Sequence, residues 1–330
     1  MSSMTDRKYQ VGKLPPAELE NQILRYCGAP RPEVIVGPGI GEDAALIEWP
    51  EGALLTVSSD PIVGAEEGAG RYLVHVNAND IACKGGDPAY LVVTLIVPVS
   101  MGKAFAEKTM AEIDQVCREI GVAVVGGHTE MTDRYEKPVV MGTMIGTTSY
   151  RYSSADLAPG DGIIATKHIG LEGMAILAND RPDLLSFMSR DEISSIRSWL
   201  DEISVVPEAR KIRHLAKYMH DPTEGGFLGG LSELSRLGRT GVDLYRENLP
   251  LHPLTIRASE EIGFDPLKLI SSGVLLVVVS YEDVEESLRI LESCGIAGSL
   301  VGRITEKKGN LEISTEEELW RVLGMAGRRI

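Results

Sequence analysis

The chain has 330 residues, 43% hydrophobic and 25% charged, enough apolar material for one or two packed cores. Its formal charge of -15 argues against a nucleic-acid binder, and an anionic ligand would need a metal or backbone donors to offset so many carboxylates. Neither a membrane-length apolar run nor a signal-peptide core is present, so a cytoplasmic protein that spans no membrane is expected.

Short apolar runs alternate with longer segments of helical period, the mark of a mixed α/β chain. Residues 53–57 read as a buried strand ending at Ser58-Ser59-Asp60-Pro61. Residues 71–84 read as a helix, with Leu73, Val74, Val76, Ile81 and Ala82 on its apolar side and Asn77, Asp80 and Lys84 together on the other. A strand over 91–98 and an amphipathic helix over 105–120 follow. A strand over 122–125 then runs into Gly126-Gly127-His128-Thr129-Glu130, and another covers 139–147.

The turn-rich stretch 153–162, with Pro159-Gly160-Asp161-Gly162, has the chemistry of a linker, which divides the chain into domains 1–155 and 156–330. Beyond it come a strand from Ile163, a helix after Gly173, helices near 190–200 and 208–219, and a glycine-rich turn over 221–226. A helix to about Leu237 and strands over 242–245 and 274–280 complete this alternation.

The four cysteines, Cys27, Cys83, Cys117 and Cys294, form no CxxC pair, which fits a reduced compartment and argues against structural zinc. The P-loop pattern is missing, and Gly37-Pro38-Gly39-Ile40-Gly41 places glycine at every second position rather than as GxGxxG. Glu42 and Asp43 follow at once and would repel a bare diphosphate, so a nicotinamide-dependent oxidoreductase is disfavoured. Glycines followed by acids suit a metal-mediated phosphate loop, because magnesium bridges carboxylates to nucleotide phosphates. Asp43, Asp60, Asp80 and Asp221 lie at strand ends or beside Gly and Pro turns, where ligands are often presented. Each alone is equally an ordinary turn or capping aspartate.

The ordered series GPGIGEDAALI, SSDP, HVNANDIACKGGDPAYL, VVGGHTEM, APGDGIIATKHIGLEG, HDPTEGGFLGGLSELS and EEIGFDPLKLISSG resembles the AIR synthase (PurM-like) superfamily from about Gly37 to Gly302, most similarly its HypE branch. The resemblance implies two α/β domains, the second with a mixed sheet, and a homodimer whose N-terminal domains pair into a β-barrel with ATP nearby. It carries magnesium (Mg2+) ligation over to Asp43, Asp60, Asp80 and Asp221, and catalytic roles to Asp80, His128 and Asp221. Gly39, Gly41, Gly126, Gly127 and Thr129 would lie against the nucleotide, with Asn77 and Lys84 in support. Gly225 and Gly226 open a helix whose first amides would receive an anion. The chemistry implied is ATP-dependent activation of a substrate oxygen, which needs positioning and charge neutralisation rather than a strong nucleophile.

Several positions depart from the family pattern. Glu42 replaces an aspartate, and His128 stands where HypE has one, either as a phosphate contact or as a backbone-bonded loop histidine. The last residues, Gly324 to Ile330, hold no cysteine of the kind that carries HypE's carbamoyl group, and Cys294, at the end of a predicted helix, is no obvious substitute. The expectation is an ATP- and magnesium-dependent enzyme acting on a small carbonyl, amide or phosphate substrate. A small-molecule kinase resembling thiamine-monophosphate kinase, and a non-catalytic ATP-binding partner in metallocofactor maturation, stand as alternatives.

Overall fold

The computed structural model describes Pro16 and residues 34–36, 40–42, 45–48, 52–63, 67–306, 309–312, 314 and 316–325. Gly39, Asp43, Cys27 and the last five residues, all singled out above, lie outside the described residues.

The first domain is built on a sheet whose described strands are β1 (Val34–Val36), β2 (Ala45–Glu48), β3 (Leu54–Ile62), β4 (Asp87–Pro98), β5 (Ala123–Thr132) and β6 (Val139–Thr148), in the order β1-β2-β3-β6-β4-β5. Only β4 and β5 pair in parallel, because the connection between them is a crossover through helix α2 (Gly102–Ile120). The strand expected to stop at Ser58 continues through Pro61, which pairs with Met141 of β6. Proline is tolerated there because β2 covers β3 only as far as Val57, leaving the other edge of its far half unpaired by β2. Likewise Gly126 to Glu130, expected after the strand, lie inside β5. The β4–β5 register steps from Leu91↔Val124 to Val92↔Gly126, a one-residue bulge at Val125. A Cβ on Gly127 would fall 2.0 Å from the Val93 carbonyl oxygen, so the strand can pass this close only as glycine.

Helix α1 (Ala69–Cys83) packs on α2, β3 and β6. It is not amphipathic in the ordinary sense: every residue except Arg71 is buried, because the second domain covers what the first does not. The opposite face of the sheet alternates buried and exposed positions and presents Leu55, Val57, Tyr90, Val92, Met141 and Ile145 partly or fully exposed.

In the second domain the described strands are β7 (Gly162–Thr166), β8 (Ala216–His220), β9 (Gly241–Leu244), β10 (Leu276–Val279) and β11 (Gly298–Thr305), in the order β8-β10-β7-β11-β9. A mixed sheet is expected here; the pairing is antiparallel throughout, because β10 and β11 run against the other three and are interleaved between them. Around it lie α3 (Leu171–Asp180), α4 (Arg190–Ser198), α5 (Val206–Ile212), α6 (Gly226–Gly238), α7 (Pro253–Ile262), α8 (Val284–Ser293) and α9 (Glu318–Leu323). The helix expected over 208–219 is split: α5 ends at Ile212, and Tyr218 and Met219 are buried by pairing with β10. Pairing and burial there override local helical periodicity. Cys294 caps α8, as expected, and its side chain is exposed.

One apolar core runs across both domains, joining Leu73, Ile81 and Ile113 of the first to Val206, Ile212, Met219 and Val277 of the second. Tyr72 crosses in the other direction and is buried among Leu171, Met174 and Trp199. Arg71–Asp201 and the paired Arg210 and Arg213 on Asp87 tie the rim.

Candidate functional site

The polar row on α1 gathers motifs that are far apart in sequence. The Asn77 side chain accepts from the Asp60 amide at 3.1 Å and donates to the Asp60 carbonyl at 3.4 Å, clamping α1 to β3. One turn on, Ser58 Oγ donates to the Asp80 carboxylate. Just past the helix, the Lys84 ammonium pairs with Glu42 beside the glycine segment. Asn77, Asp80 and Lys84 are only 0%, 6% and 3% exposed. Burying an aspartate and a lysine costs several kcal/mol unless they are paired, on the order of the penalty for any ion removed from water. A fold-building helix has no need of them, which makes this row the candidate site.

Gly41 is held from the second domain. Gly41 has φ +80°, in the left-handed region that favours glycine, and Tyr218 Oη of β8 donates to its carbonyl at 2.7 Å. Two residues along β8, His220 Nε2 stands 3.0 Å from a Glu233 carboxylate oxygen on α6. Glu233 also stands beside Gly41, where an added Cβ would lie 3.4 Å from Glu233 Cβ.

Asp221 follows β8 and is 1% exposed. One of its oxygens accepts from the Gly273 amide at 3.1 Å, the other from Asn79 Nδ2 at 2.7 Å. Asn79 thus joins the helix bearing Asp80 to Asp221, and sequence reading missed it. The available signal was a polar residue every fourth position, Arg71, His75 and Asn79, along the side of α1 that faces the second domain. Burial pushes the His75 imidazole down to about 4, with the Arg71 charge adding to the effect.

The remaining expected residues fall into two groups. Gly126, Gly127, His128 and Thr129 are on β5, separated from β3 by two strands of the same sheet. His128 is 67% exposed and lies 3.3 Å from Glu130. At α6, the Gly225 amide, expected to receive an anion, donates to the Glu317 carboxylate at 2.5 Å, beside Gly226. Burial raises Glu317 to about 7 against the opposing pull of the Leu319, Gly225 and Ile270 amides. Among the described residues no three His, Cys, Asp or Glu side chains are gathered as a metal site, and Asp43 falls outside them. No helix among them is long and apolar enough to cross a membrane.

Two family models match this chain in order: AIR synthase related protein, N-terminal domain, over residues 41–148, and AIR synthase related protein, C-terminal domain, over 158–314. The chain belongs to the AIR synthase-related family. Among curated relatives, the carbamoyl dehydratase HypE of Cupriavidus necator is 26% identical over 82% of this chain and 77% of its own. The hydrogenase maturation protein HypE in complex with ATP shares the fold at TM-score 0.66 and 20% identity, covering 88% of this chain and 86% of that one. Thiamine monophosphate kinase from Aquifex aeolicus does so at TM-score 0.66 and 17% identity, covering 80% and 90%. At those identities the two structures establish the two-domain PurM-like α/β fold and nothing finer.

Proposed function

We propose that this chain is a magnesium-dependent, ATP-using enzyme that activates an oxygen of a small carbonyl, amide or phosphate substrate, in the manner of a dehydratase. The observation that carries the reading is the convergence on α1: the Asp60 backbone and the Ser58 hydroxyl from one motif, Asp80 and Lys84 from a second and Glu42 from a third meet along one polar row. The Asp80 and Glu42 carboxylates and the Ser58 hydroxyl in that row offer hard oxygens, which suit magnesium. Asp43, Asp60, Asp80 and Asp221 would hold the ion in this reading, and it would supply charge neutralisation for the nucleotide phosphates. Gly39 and Gly41 let backbone approach the nucleotide, while Asn77 and Lys84 hold the row in register. Asp80, Asp221 and His128 carry the chemistry.

His128, Thr129, Gly126 and Gly127 reach such a site most simply from a second copy. The half-exposed apolar face of the first sheet, with Tyr90 at 50% and Met141 at 38% exposure, supports a homodimer closed over that face. A maturation-protein partner and a cytoplasmic setting belong to this reading; the partner is supported by the solved HypE–HypF complex, a chain of which shares the fold at TM-score 0.67 and 22% identity. The boundary between domains 1–155 and 156–330 falls between the two family matches, which supports it.

The likeness to thiamine monophosphate kinase favours a second reading, a small-molecule kinase. Product analysis separates the two. ADP with free phosphate and a dehydrated or cyclised product is expected; ADP with a phosphorylated product would mean a kinase. ATP binding with no consumption in the presence of carbonyl, amide and phosphate substrates would refute the enzyme reading in favour of a non-catalytic assembly partner.

A further inference from the structure

Asn79 is fully buried, and its amide is used at both ends. Nδ2 donates to the Ile203 carbonyl at 2.9 Å and to Asp221 at 2.7 Å, and Oδ1 accepts from the Val205 amide at 2.8 Å. All three partners belong to the second domain, whereas Asn79 sits on α1 next to Asp80. The Gly273 amide holds the other oxygen of Asp221. Two donors on two different oxygens fix the plane of a carboxylate as well as its position. A plain interdomain clamp needs no buried charge: a hydroxyl oxygen at 221, which has two lone pairs, could accept from both donors without the cost of desolvating a carboxylate.

We infer that Asn79 is a positioning residue, one that orients the Asp221 carboxylate relative to Asp80 across the domain seam so that both serve the same magnesium–nucleotide complex. This rests on the reading of Asp221 as a magnesium ligand. A partner that orients a ligating side chain commonly changes metal affinity by roughly 10–100-fold when removed.

The test uses the full chain in four variants, Asn79→Ala, Asn79→Asp, Asp221→Asn and the exchange Asn79→Asp/Asp221→Asn. Thermal unfolding and calorimetric ATP titration at several magnesium concentrations are followed on each. Asn79→Asp sets two carboxylates against each other. The exchange restores a hydrogen bond between 79 and 221 and keeps those to Val205 and Gly273; it shares with Asn79→Asp the loss of the bond to the Ile203 carbonyl, and it moves the charge from 221 to 79. The expected result is that the exchange recovers at least half of the Tm lost in Asn79→Asp, yet stays roughly 10–100-fold weaker than wild type in magnesium-supported ATP binding. Asn79→Ala, measured well below its Tm, is expected to weaken binding to a similar degree; should it not fold, the exchange decides alone. Recovery of both Tm and affinity in the exchange would show a clamp indifferent to where the charge sits, and would overturn the inference. So would wild-type affinity in a folded Asn79→Ala when Asp221→Asn has lost it. Wild-type affinity in Asp221→Asn itself would instead remove Asp221 from the magnesium set, a separate failure of the underlying reading.

Discussion

Tyr72 offers a test of the domain seam in which removing an atom improves the fold. Its ring is 1% exposed inside the second domain's core, and its hydroxyl has no hydrogen-bond partner among the described residues. Burial, and then the charges of Glu172 and Asp180, hold the phenol well above its ordinary range. A buried polar group left unpaired costs about 1–3 kcal/mol. Tyr72→Phe keeps the ring contacts and discards that cost, with a small loss for the void left behind. The net expectation is a stabilisation of about 1 kcal/mol, or a Tm rise of roughly 2–4 °C. The assay is thermal unfolding followed by circular dichroism at neutral pH and again in alkali. A folded-state pKa above the unfolded value means that this group's stabilisation is complete below the ordinary phenol range and is lost as pH rises through the folded value. Tyr72→Phe should therefore also flatten the alkaline fall. A Tm lowered by 2 °C or more in Tyr72→Phe, taken as about half the expected change in the opposite direction, would refute the reasoning, because the hydroxyl would then be making a favourable bond.

Lys84→Met strands the Glu42 carboxylate, which is 17% exposed, and should cost about 2–3 kcal/mol in chemical denaturation, somewhat less than for a fully buried pair. Adding Glu42→Gln should recover more than half of that loss. Gly127→Ala, whose new Cβ would meet the Val93 carbonyl at 2.0 Å, should destabilise by about 1–3 kcal/mol; an unchanged Tm would contradict the close approach of β5 to β4. His75 is held neutral, near 4 against an ordinary 6.5, so the unfolded chain takes up its proton first on acidification. Its stabilisation is complete above about pH 6.5 and is lost as pH falls towards 4, on the order of 3 kcal/mol in all. Melting curves of His75→Phe across that range should show a shallower acid slope than wild type.

The elements that sequence made legible are those whose pattern is local. Residues 105–120 read as a helix from apolar spacing alone, and α2 covers them. The strand at 139–147 appears as β6. What sequence concealed was decided by partners distant in the chain. Ala216–His220 looks like the end of a helix until β10 lies beside it, and Gly126–Glu130 looks like a loop until β4 supplies hydrogen bonds for it. The polar row Asn77–Asp80–Lys84 was visible as a helix face, but its burial was not, because burial depends on the second domain arriving over α1. Asn79 was hidden for the same reason: its meaning comes from Asp221, 142 residues away in the chain.

In the proposed function the buried polar row on α1 serves a magnesium–nucleotide complex. That role is tested most directly by calorimetric titration of the full chain with ATP, with and without magnesium, for wild type and Asp80→Asn. Wild type should bind ATP in a magnesium-dependent manner, with binding weakened at least roughly tenfold in the variant. Wild-type protein that binds no ATP under either condition would contradict it, leaving the motif series as a record of ancestry.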